Sequence, residues 1–214
     1  MLELLAKTLP LAIASAMSPV ILGVAVALLS EKGGNVGKVC AFLLGGAVVA
    51  LGLAFLGFAA GSGAFSALGI SGLPASLDIG LGAVFIIFAA RGLLEKEEGR
   101  KKKMGAAKGG AFKWFAIGFL ANFTNADAVV LNFTAVKEIF ASEAGFTAQL
   151  FLVGVADFFF LSPALVPLLV YAVAPGKTGK MLEPVGAWMR RHGRYVVAAI
   201  FLAFGAYLIY KGLA

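Results

Sequence analysis

Cysteine and histidine are almost absent from this chain: Cys40 and His192 are the only ones in 214 residues. One cysteine allows no internal disulfide and no Cys-Cys redox pair, which excludes a thiol-relay membrane protein. One histidine, placed among Arg190, Arg191 and Arg194, leaves no Ser/His/Asp set and no HExxH motif, and there is no Gly-rich phosphate loop. These absences point away from an enzyme and from any cofactor. An intramembrane aspartyl hydrolase would have Asp127 and Asp157 to work with and nothing else. Charge is scarce too. Charged residues make up 14% and hydrophobic ones 61%, where a soluble domain has about 25% and about 45–50%.

What the chain has instead is long apolar segments. Six of them run from Leu9 to Leu29, Val39 to Ala60, Leu77 to Leu94, Trp114 to Val136, Thr147 to Ala174 and Val196 to Tyr210. Each is near the ~20 residues an α-helix needs to cross ~30 Å of hydrocarbon. The first apolar run continues to Leu29, so it reads as a span rather than as a cleaved signal peptide. The expected fold is an all-α integral membrane protein with six transmembrane helices.

Of the 18 Lys and Arg residues, 15 fall in loops one, three and five, leaving only Lys7, Lys137 and Lys211 for the other side. Positive residues stay cytoplasmic, so the chain is read as a multi-pass protein of the cell membrane (the inner one, where there are two) with both termini extracytoplasmic. The same bias accounts for the formal charge of +7, so no nucleic-acid partner is implied. Membrane lipids are the surrounding partners, and a homo-oligomer stays open.

The charged stretch 95–113 is the one clear linker. It separates a first three-helix unit, 1–94, from a second, 114–214, and three crossings per unit require the two to lie in opposite orientations. Faint matches keep the same order in both units. Ala12-Ile13 leading to Ser18-Pro19 parallels Ala116-Ile117 leading to Asn122-Phe123. Phe42-Leu43-Leu44-Gly45 parallels Phe151-Leu152-Val153-Gly154, and Arg91-Gly92-Leu93 parallels Lys211-Gly212-Leu213. An inverted 3+3 repeat is the expectation, and with it a secondary transporter whose site lies between the halves. Met181, Leu182, Val185, Trp188 and Met189 recur at helical spacing and predict a short amphipathic helix on the cytoplasmic surface. Gly57/Gly61 and Gly46/Ala50 are small-xxx-small pairs suited to close helix packing.

The polar residues inside the spans are the candidate site. Helix four carries Asn122, Thr124, Asn125, Asp127, Asn132 and Thr134. A carboxylate near the bilayer centre costs ~3 kcal/mol or more on insertion scales, so it is expected to face a cavity and to have a task. On a regular helix these side chains form two opposed stripes. Either one stripe bonds neighbouring helices, or the helix is unwound near Asn122 to Asp127. Helix five carries Asp157, followed by Pro163 and Pro167, which should kink or open it. In helix one, Pro19 has no N–H to offer the Ser15 carbonyl, so a kink is expected mid-span. The candidate substrate or ion site is therefore Ser18, Pro19, Asn122, Asn125, Asp127 and Asp157, with Asp127 first choice for a cation or a coupling proton. Asp127 and Asp157 would be the ligands if a divalent metal were the cargo.

Three stretches resemble a known family: Ala16-Met17-Ser18-Pro19 through Leu28-Leu29-Ser30, Phe112-Lys113-Trp114 through Gly118-Phe119-Leu120-Ala121-Asn122, and Trp188, Arg191-His192, then Gly205 to Gly212-Leu213. They are similar to the GAP/Sap family of the lysine-exporter (LysE) superfamily. The resemblance implies a six-helix inverted-repeat exporter, with glycolipids associated with mycobacterial members and amino acids or metal ions with the wider superfamily. The family's Asn-Pro-Lys-Asn in helix four is here Asn122, Phe123, Thr124 and Asn125, followed by Asp127. Without the lysine, complementarity at that depth favours a cation, or proton coupling, over an anionic lipid head. The reading is a proton- or cation-coupled exporter of a small or amphiphilic substrate. A glycolipid exporter, a divalent-metal exporter and a non-transporting membrane scaffold are the alternatives.

Overall fold

A computed structural model describes residues 2–30, 35–64, 73–94, 110–175 and 177–213. Residues 95–109 of the linker and 65–72 of the loop after the second span lie outside the described residues. Eight helices and no strand occur among them: α1 (Leu2–Ser15), α2 (Pro19–Ser30), α3 (Val36–Gly61), α4 (Leu73–Leu94), α5 (Ala111–Phe123), α6 (Ala126–Phe140), α7 (Phe146–Val173) and α8 (Thr178–Leu213). Four helices are long and apolar enough to cross a membrane alone. The pairs α1/α2 and α5/α6 qualify only jointly, and they are bent by 54° and 74° at their breaks. The chain is thus a multi-pass helical membrane protein with four to six spans. The outward side chains agree: Leu51, Phe55, Phe151 and Val173 are each more than half exposed, as lipid-facing positions would be.

The broken spans have local causes. Ser18 precedes Pro19 at the start of α2, an N-cap residue followed by proline at the first helical position. In the fourth span Thr124-Asn125-Ala126-Asp127 is also a helix start: Asn125 is the N-cap and Asp127 lies in the first turn, where negative charge suits the dipole. The helix is therefore interrupted without a proline, and the two opposed stripes do not run through it. Carbonyls near the breaks are met by side chains. Ser15 Oγ donates to Ala12 O at 2.7 Å, Asn122 Nδ2 to Gly118 O at 2.8 Å and Thr124 Oγ1 to Leu120 O at 2.7 Å.

Two expectations need correction in part. Helix α7 runs unbroken through Pro163 and Pro167, so it does not open there. The Phe159 carbonyl that Pro163 cannot reach receives the Ser162 hydroxyl at 2.7 Å instead, so the helix need not open. The amphipathic segment around Met181 to Met189 is no separate surface helix. It is the first part of the 36-residue α8, continuous with the last span.

Packing runs mainly between the first and last hundred residues. Helix α3 packs on α5, α6 and α7, α4 on α8, α1 on α6 and α7, and α2 on α7 and α8. Glycines set the closest approaches. Gly45 lies against the backbone of Phe115 to Phe119 and Gly118 against that of Phe42, while Gly57 and Gly61 lie on Val136, Lys137 and Phe140. Gly82 and Gly205 bring α4 and α8 together in the same way. Below the breaks, Ile21, Ala25 and Leu28 of α2 pack with Phe42, Trp114 and Ala164. Above them, α1, α4, α6, α7 and α8 share a core containing Leu11, Phe85, Leu131, Ala156 and Phe201.

Candidate functional site

Three features could do chemistry or transport. The first is a groove of about 450 Å³ at the end of the bundle away from the termini. One wall is a single face of α2, Pro19, Leu22, Gly23 and Val26, at helical spacings of three and four. The other is a face of α8 with Gly179, Leu182, Gly186, Lys180, Glu183 and Arg190. The α2 wall is apolar and ends at the mid-span break. The α8 wall brings two cations and one acid. A headgroup can meet the charges while an apolar chain lies along α2. Ser18, which caps α2, is itself buried.

The second feature is a polar contact between α6 and α7. Asn132 is fully buried, and its Nδ2 donates to Asp157 Oδ1 at 3.0 Å. Its Oδ1 is also buried and has no hydrogen-bond partner. Asp157, half-buried, thus has a buried polar partner on another helix.

The third lies at the end where the termini meet and was not foreseen. Lys137, 2% exposed, contacts Asp78 and reaches Glu138 Oε1 at 3.1 Å. Lys211 approaches Glu138 Oε1 at 2.8 Å and Asp78 Oδ2 at 3.5 Å. Four alternating charges therefore join α4, α6 and α8. Lys137 does not sit in a loop, because α6 continues to Phe140. The available signal was Asp78, an acid inside the third apolar segment.

The other predicted residues are dispersed. Asn122 is buried against Gly46 and bonds within its own helix. Asn125 is partly buried at the start of α6, and Asp127 beside it is exposed rather than enclosed. Ser18 and Asn125 stand at similar places, each preceding the second helix of a broken pair. No group of three or more His, Cys, Asp or Glu suited to a metal occurs among the described residues.

A family model described as Sap, sulfolipid-1-addressing protein, matches residues 8–214. The chain belongs to this family. No curated protein and no solved structure matches it. The Sap match covers both mid-span breaks, the groove and the charge cluster, so all three features belong to the matched region.

Proposed function

We propose that this Sap-family protein is a secondary exporter of a lipid-class, anionic amphiphile, working by alternating access and without catalysis. The observation that carries the reading is the groove, in which an apolar face of α2 that begins at the mid-span break lies along a face of α8 bearing Lys180 and Arg190. The family description names a sulfolipid, and such a molecule joins apolar chains to an anionic group that guanidinium and ammonium side chains recognise. The preference for a cation at the midplane rested on the missing lysine and on Asp127, and Asp127 is exposed. The headgroup is assigned to the groove rim and the coupling proton or cation to an intramembrane acid.

The order of elements supports an inverted 3+3 repeat within the LysE superfamily: a broken pair and two long helices, then the same again. The positive-inside bias places the groove on the cytoplasmic side and the Asp78 cluster outside. In this state the bundle faces inward, closed at the outer end by charge pairs. Single cysteines in the 95–113 stretch, in a background lacking Cys40, should resist an impermeant thiol reagent on intact cells. Labelling there would reverse the orientation.

Gly23→Trp tests the groove itself, because a Cβ at Gly23 meets open space and the fold should persist. Native mass spectrometry and export from proteoliposomes are the readouts. The expected result is at least about tenfold weaker retention of an anionic lipid, near 1.4 kcal/mol, and loss of export. Unchanged binding and export would remove the groove from the substrate path. A wild-type protein that neither retains nor moves lipid would be a scaffold.

A further inference from the structure

We infer that Asp157 and Asn132 form an intramembrane proton-binding site, and that the coupling residue of the exporter is Asp157 in place of Asp127. The inference rests on the exporter reading for its purpose, but the site stands on its own geometry. A buried amide normally satisfies both of its ends. Asn132 satisfies one, by donating to Asp157, and leaves its oxygen buried without a donor. An amide presents a donor and an acceptor on one planar group, and a half-turn exchanges them. The ionised carboxylate accepts from the N–H. A protonated carboxyl can instead donate its O–H to the oxygen that now lacks a partner. The same pair of side chains therefore accommodates Asp157 in both protonation states, without a cation to hold it in one.

Among the described residues, the helices packed on α7 bring no other charge to Asp157. Of the helices packed on α7, α2 carries no titratable side chain, and α3 carries only Lys38 and Cys40, both in its first turn or just beyond. On α1, Glu3 and Lys7 pair with each other at 2.8 Å. On α6, Asp127 lies in the exposed first turn, while Lys137 and Glu138 belong to the cluster with Asp78 and Lys211. The remaining titratable groups of α8 are in its first half or are the tyrosines Tyr195, Tyr207 and Tyr210. Asp157 has its contact with Asn132 and is only half-buried, and water must reach its open side to deliver the proton and take it away. Protonation forms one O–H bond at the carboxyl, and release returns that proton to water on whichever side is open.

The full chain in lipid nanodiscs, titrated between about pH 8 and 5, is followed by infrared difference spectroscopy in the region of the protonated carboxyl C=O. The wild type should gain a carboxylic-acid band as pH falls. Asp157→Asn should abolish that band, Asp157→Glu should keep it, and Asn132→Leu should displace it because the hydrogen-bond partner is gone. The glutamate variant guards against an unfolded asparagine variant. A band that persists in full in Asp157→Asn, or is unaffected by Asn132→Leu, would overturn the site. A band that behaves as expected in a protein showing no lipid export would uphold the site and overturn the exporter reading instead.

Discussion

Lys137→Met should cost about 3–5 kcal/mol of stability, the loss seen when one partner of a buried charge pair is removed. The replacement fills similar volume, so the loss is electrostatic. Asp78 and Glu138 would then share only Lys211, which is 35% exposed and already bonded to Glu138 at 2.8 Å. One buried carboxylate is left without compensation, where neutralising it by charge pairing is no longer available. Unfolding in mixed micelles with rising SDS measures the loss directly. The decisive comparison is the double variant Asp78→Leu with Lys137→Met, which removes a whole pair and leaves Glu138 with Lys211. It should recover most of the lost stability. If Lys137→Met is as stable as wild type, the cluster does not hold α4, α6 and α8 together, and its assignment as the closed outer end fails with it.

Lipid imposes a coarse requirement, and that is why the spans were legible. Every backbone group must bond within a helix, and most side chains must be apolar, so segment lengths and the Lys/Arg asymmetry can be read directly. The interruption of the fourth span was legible as one of two readings of its opposed polar stripes, and Thr124-Asn125-Ala126-Asp127 has the residues of a helix start that would have decided between them. Pro163 misled in the opposite direction, because its consequence depends on a neighbour. Ser162 supplies the hydrogen that the proline removes, and nothing in the spacing of prolines says so. The groove brings residues 19–26 beside residues 179–190. That pairing depends on how α2 crosses α8, which no local pattern encodes. Lys137 likewise looks like a loop residue until Asp78, 59 positions earlier, is beside it.

Gly118→Leu is expected to prevent assembly, with Gly118→Ala losing about 1–3 kcal/mol, the range typical of overpacking. The reason is the neighbour. A Cβ at Gly118 falls on the carbonyl and Cα of Phe42, and one at Gly45 falls on the backbone of Phe115 and Phe119. Backbone cannot rotate aside as a side chain can, so α3 and α5 must separate along their length. In lipid no hydrophobic force would hold them together once close packing is lost. Separation also displaces Asn122, which packs on Gly46 one residue further along α3, and with it the end of α5 where the fourth span breaks. Glycine as such is not the cause, and Gly52 provides the control: it is on α3, as Gly45 is, with open space around its Cβ. There Gly→Ala should be neutral or stabilising by up to about 1 kcal/mol through helix propensity. Monodispersity on size exclusion and SDS unfolding separate these outcomes. A Gly118→Leu protein that is monodisperse and as stable as wild type would mean that α3 and α5 do not meet in the membrane as this structure has them.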